Sequence, residues 1–149
     1  MQPVNTGLDA NARAAVADGL NTVLADTYAL YHRTHSYHWN VTGPQFATLH
    51  ALFETQYREM WAALDEIAER IRALGVFAVI SYELPGEKAP PAADKMIKNL
   101  LADHEALIRR ARSALGAAGE AGDAATEDLL TVRIQSHEKT AWMLRAMAE

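Results

Sequence analysis

The chain is punctuated at few places, and this limits its possible folds more than any other feature. Pro44 follows Gly43, then Pro85, Pro90 and Pro91 crowd one later stretch, and Gly119 and Gly122 mark another. Proline breaks a helix interior and glycine weakens it. The long proline-free spans between these points, rich in Ala, Leu, Glu and Arg, therefore read as helices. The first is predicted from about Asp9 to His38, with Asp9 as its cap. Leu20, Val23, Leu24, Thr27, Leu30 and Tyr31 step along it at three and four, the spacing of a buried helical stripe. The turn "VTGP" ends it, and a second helix runs to Leu74, stopped by Gly75. Residues 76–91, "VFAVISYELPGEKAPP", form a long connection in which a short apolar helix or strand is expected near Phe77 to Tyr82. A third helix is predicted from Ala92 to Ala118, and a fourth from a cap at Asp123 to Met147. Two short connections flanking a long one describe an all-α four-helix bundle with a crossover between the second and third helices.

At 149 residues and 50 % hydrophobic content the chain suits one domain, residues 1–149, with 1–8 as a short tail. No apolar run is long enough to span a membrane and no leader is visible, so a soluble cytoplasmic protein is expected. The chain has no cysteine, which removes disulfides, thiolate ligands and thiol nucleophiles together. Redox chemistry would then need a metal or a cofactor. A formal charge of −5 opposes attraction to nucleic acid.

Chemistry concentrates on the second helix. With His50 taken as zero, Glu54 falls at about 40°, Asp65 at about 60° and Glu69 at about 100° around the axis. The four share one face, yet His50 and Asp65 are separated by roughly 22 Å along it. One helix cannot bring both pairs to one ion. The spacing is palindromic about a point between Glu59 and Met60, so two antiparallel copies related by a two-fold axis would set His50 opposite Glu69 and Glu54 opposite Asp65. His38 lies before the "VTGP" turn about as far as His50 lies after it, and can join the cluster. Two imidazoles and three carboxylates suit iron or zinc better than copper(I), with iron the better fit to a redox role. Glu-x-x-His, expected twice when a di-iron centre lies inside one bundle, occurs at none of the six histidines. That favours a site between subunits.

Residue types alone also allow an ordinary solvated face, its acids paired with Arg58, Arg70 or Arg72. His32, His104 and His137 read as packing or surface residues. His35 could join His38 in holding a second, transient metal. Tyr57 and Trp61 would fill a dimer contact. Trp39 would fill the core, or lie beside the metal and intercept oxidising equivalents.

Residues 38–75, "HWNVTGPQFATLHALFETQYREMWAALDEIAERIRALG", resemble the signature of the Dps family, the miniferritins that assemble as dodecameric hollow shells. His-Trp-Asn-Val-x-Gly, a histidine twelve positions after the first, and Asp-x-x-Ala-Glu-Arg carry the likeness. It extends more loosely over most of the chain, including "GDAATEDLLT" and "HEKTAWML". The resemblance implies a ferroxidase that oxidises Fe(II), preferably with hydrogen peroxide, at sites shared by two-fold-related subunits. It also implies ferric storage in the cavity and protection against oxidative stress. His38, His50 and Glu54 would come from one subunit and Asp65 and Glu69 from its partner, with room for two irons and with zinc able to substitute. Glu54 stands where Asp is frequent in the family, and the connection after Gly75 is shorter than usual. Family members that bind DNA often do so through a Lys-rich tail, whereas residues 1–8 hold no basic residue and the chain ends "RAMAE". Twelve such chains would carry about −60, so little or no DNA binding is expected. The alternatives are a DNA-compacting relative with weak ferroxidase activity and a non-ferritin di-metal oxidase. The acidic run Glu120, Asp123, Glu127 and Asp128 resembles the lining of three-fold pores in the family, with Asp123 and Asp128 as the pore candidates; Asp123 reads equally well as a helix cap alone.

Overall fold

A computed structural model describes residues 1, 3–79, 81, 83 and 87–148. Four helices account for nearly all of these: α1 (Ala10–Asn40), α2 (Phe46–Ala73), α3 (Ala93–Glu120) and α4 (Ala124–Met147). The described residues contain no strand. Each helix end falls within two or three residues of its expected place, and local chemistry explains why. Asp9 Oδ1 accepts a 2.9 Å bond from the Ala12 N–H, satisfying an amide that the first turn leaves orphaned. Gly75 and Gly122, at φ 81° and 70°, adopt the left-handed conformation that closes α2 and α3. The Asp123 N–H then reaches back 2.9 Å to the Ala118 carbonyl.

α1 packs along both α2 and α3, α3 packs along α4, and α2 meets α4 only over a short seam. Leu20, Leu24, Leu49, Phe53, Met60, Ile67, Leu100 and Leu107 are all within 1 % of full burial and form the heart of the core. Each such side chain contributes about 1.5–3 kcal/mol relative to exposure. α1 and α3 approach closely at Gly19, where a Cβ would lie 3.0 Å from that of Ala114. At the far end of the hairpin, the buried Arg13 Nη1 donates to the Leu74 carbonyl at 2.8 Å, joining the start of α1 to the end of α2.

The connection from α2 to α3 differs from expectation. Phe77, Ala78 and Val79 are neither helix nor strand, and Ile80 and Tyr82 lie outside the described residues. Side chains hold this segment. The Val79 N–H donates 3.0 Å to Asn21 Oδ1 on α1, and the Arg72 guanidinium lies 4.7 Å from the centre of the Phe77 ring. Farther along, Glu87 accepts a 2.7 Å bond from the Tyr37 hydroxyl. No described helix is long and apolar enough to cross a membrane.

Candidate metal centre

The turn between α1 and α2 brings two histidines together. Gly43, at φ 101°, lets the chain reverse before Pro44. His38 in the last turn of α1 then stacks on His50 in the second turn of α2, ring centres 3.8 Å apart and planes 19° from parallel. Each ring also holds the other's backbone. His38 Nδ1 is 2.8 Å from the His50 carbonyl, and His50 Nδ1 is 2.8 Å from the His38 carbonyl. A carbonyl only accepts, so both Nδ1 atoms carry a proton, and in the neutral imidazole each Nε2 keeps its lone pair. The His38 carbonyl lies among the last four of α1, which lack helical partners, so His50 also satisfies a helix end. An imidazole whose Nδ1–H is held by a carbonyl, with Nε2 free, is the usual form of a metal-binding histidine.

Glu54 follows His50 by one turn. Its Oε1 accepts a 2.8 Å bond from Arg58 Nε and lies 2.8 Å from Arg58 Nη2 in an ion pair. The Arg58 bond, together with the nearness of His38 and His50, holds the Glu54 carboxyl below the ordinary carboxylate range. Asp65 and Glu69 are exposed on the outer face of the same helix. Among the described residues no three histidines or carboxylates stand close enough within one chain to hold a metal ion. The chain thus joins His38 to His50, sets Glu54 beside them, and keeps Asp65 and Glu69 apart.

An aromatic ladder flanks the histidines. His35 lies between Trp39 at 4.1 Å and Tyr57 at 4.2 Å, and Tyr57 meets His38 edge-on at 5.2 Å. Burial, then the charges of His38, His32 and Arg58, lower the His35 pKa. Tyr31 links Tyr57 to Trp61, with centroids 6.1 and 5.5 Å away. Trp39 is 63 % exposed and Trp61 59 %. Trp39 therefore does not fill the core as one expectation had it: it follows His38 on the outer face of α1 and lies against His35, the two rings tilted by 42°.

Asp123 caps α4. Its side chain accepts from the Thr126 N–H and hydroxyl, and both carboxylate oxygens accept from Arg70 Nη2, at 2.8 and 2.9 Å. Burial opposes its charge, but the bonds from Thr126 and Arg70 outweigh that and hold the carboxyl below its usual range. Asp123 is 4 % exposed. Asp128 and Glu120 are exposed.

A polar column that runs inward from the exposed Glu59 on α2 to buried Arg133, His137 and His104 on α4 and α3 is absent from the sequence reading. Glu59 pairs with Arg133, Arg133 Nη2 reaches His137 Nε2 at 3.2 Å, and His137 Nδ1 lies 2.9 Å from His104 Nδ1. The i,i+4 placing of Arg133 and His137 on α4 was its only visible sign.

A model of the ferritin-like domain matches residues 17–149. A low-temperature-induced protein of Nostoc is 41 % identical over 158 aligned positions that cover 100 % of this chain and 88 % of the relative. DNA protection during starvation protein 2 of Bacillus anthracis is 36 % identical over 88 % of this chain and 94 % of its own length. Among solved structures, the Dps protein of Vibrio cholerae O1, described as belonging to a broad superfamily of ferritin-like diiron-carboxylate proteins, superposes with a TM-score of 0.91 at 31 % identity. That match covers 100 % of this chain and 99 % of the other. With the fold, the paired histidines and these likenesses together, the chain belongs to the Dps family of miniferritins, ferritin-like proteins of iron storage and stress protection.

Proposed function

We propose that this protein oxidises Fe(II) with hydrogen peroxide at sites shared by two-fold-related copies, and stores the ferric product in a closed dodecamer. The observation that carries this is the reciprocal His38–His50 pair, with two Nε2 lone pairs available beside the Glu54 carboxylate. Asp65 and Glu69 repeat the four-residue spacing farther along the exposed face of α2, where the antiparallel helix of a second subunit would bring its own pair to this half-site.

The donors fit the substrate. Neutral imidazole nitrogens bind Fe(II), and hard carboxylate oxygens hold the more highly charged Fe(III) formed from it. Two Fe(II) ions each give up one electron, and one hydrogen peroxide takes both with two protons to become two waters. Holding two irons together lets peroxide be reduced in one two-electron step, without release of hydroxyl radical. The protein's part is to fix the tautomers through the two carbonyls, to supply carboxylates, and to leave open positions through which product moves on. Exposed Glu120 and Asp128, near the junction of α3 and α4, would draw cations toward the shell. The net charge of −5 per chain favours this reading over DNA compaction.

Titration with Fe(II) under nitrogen, followed by peroxide addition and particle sizing, tests the proposal. A large particle that consumes about one peroxide per two irons is expected, with His50→Ala slowing oxidation while leaving the particle intact. A normal rate in that variant would overturn the site.

A further inference from the structure

Arg58 occupies one side of the candidate centre. Its hydrogen bond from Nε and its closest ionic contact, from Nη2, both fall on one Glu54 oxygen, Oε1, so the guanidinium sits against one half of the carboxylate. A carboxylate that bridges two metal ions needs both of its oxygens. Arg58 is also held from beneath. Its guanidinium carbon lies 5.7 Å from the centre of the Tyr57 ring, and Tyr57 packs edge-on against His38. Glu54, Tyr57, Arg58 and His38 thus form one contiguous unit around the site.

Building on the proposed iron site, we infer that Arg58 stands in for the second cation of the centre: it neutralises Glu54 while the site is empty or singly loaded, and must leave before a second iron binds. Glu54 reaches Arg58 because it is one methylene longer than Asp and four residues away on the same helix face. The pair is exposed and therefore weak, since water screens both partners. A doubly charged ion can displace it without disturbing the fold. Arg58 would then set the order of filling, with a first iron held by the histidines and a second admitted only when the guanidinium swings away. Such an order makes second-iron affinity a property of residue 58.

The test is calorimetric titration of the assembled protein with Fe(II) under nitrogen, comparing wild type with Arg58→Ala, Arg58→Gln and His50→Ala. Wild type is expected to show a tighter and a weaker event. Both Arg58 variants should tighten the weaker event by roughly two- to tenfold and change the tighter one by less than about twofold. If His50→Ala binds iron as wild type does, the metal site itself is misplaced. Where His50→Ala loses the tight event but the weaker event is unmoved in Arg58→Ala and Arg58→Gln, the site stands and the role of Arg58 falls. Tightening in the Ala variant alone would trace the effect to space rather than charge, and would also overturn it, as would two equally tight irons in wild type.

Discussion

His104 on α3 and His137 on α4 meet through their Nδ1 atoms at 2.9 Å in the interior of the bundle. Only one of two facing nitrogens can carry the shared proton. Arg133 settles which, because it donates to His137 Nε2 and so leaves the His137 proton on Nδ1. Both imidazoles are consequently neutral. Burial, and then the charge of the other histidine and of Arg133, lowers the His104 pKa to about 3; burial and Arg133 lower that of His137 to about 3.

This pair predicts acid lability with a definite sign. Folded-state values near 3 lie below the ordinary 6.5, so between those pH values the unfolded chain binds protons that the native one refuses. Stability is full above about pH 6.5 and falls as pH drops toward 3, by up to about 1.4 kcal/mol per pH unit for each histidine. Denaturant unfolding at fixed protein concentration from pH 7.5 to 4.5 should show this slope, and His104→Leu should make it shallower by about one histidine's share. An unchanged slope would mean that the pair is protonated in the native state.

Asp123 supplies a second prediction. Asp123→Ala removes the cap of α4 and strips a half-buried Arg70 of its carboxylate. Lost capping costs about 1 kcal/mol and an unpaired, partly buried guanidinium more, so a loss of about 2–4 kcal/mol is expected by chemical denaturation. Iron uptake measured well below the unfolding temperature should be unaffected, because the carboxylate is committed to the fold. Slower uptake in a fully folded variant would return Asp123 to a pore.

What could be read from the chain follows from how far its interactions reach. Asp9, Gly75, Gly122 and Asp123 act on their own few neighbours, so their caps and stops were visible in sequence. The approach of His38 to His50 was visible too, because a five-residue connection between two helices leaves little freedom in register. By contrast, Glu59, Arg133, His137 and His104 sit on three different helices, and their meeting depends on rotations about axes that no local pattern specifies. The core-filling reading of Trp39 failed for a related reason. Aromatic size suggests burial, but the face it occupies is set by the phase of α1, and that phase buries Tyr37 and His38 instead.

Two glycines separate backbone strain from open space. Neither Gly43 nor Gly116 has any atom within 4 Å of an added Cβ, yet Gly43 is at φ 101° and Gly116 lies in the regular interior of α3. Gly43→Ala should destabilise by about 1–2 kcal/mol and weaken Fe(II) binding, because the turn that aligns His38 with His50 is strained. Gly116→Ala should stabilise by about 0.4–1 kcal/mol and leave binding unchanged. Thermal unfolding with parallel iron titration measures both, and equal effects of the two substitutions would refute the role given to the turn.

The sharpest prediction concerns the division of the metal cage between subunits. In a two-fold dimer, one site would use His38, His50 and Glu54 of one copy with Asp65 and Glu69 of the other, and the second site would use the reverse. His50→Ala spoils the first half of every site, and Asp65→Ala spoils the second half, so each variant alone should be slow. Co-expressing the two variants changes this. In a mixed dimer both lesions fall in the same site, and the remaining site is wholly wild type. With random pairing about half of the dimers are mixed, so about a quarter of all sites, and of the wild-type oxidation rate, should return. A double variant carrying both lesions on one chain, co-expressed with wild type, gives the contrasting case: each mixed dimer then has one lesion in each site. Were His50 and Asp65 parts of one intrachain centre instead, the mixture of single variants would recover nothing, because no chain in it has both residues.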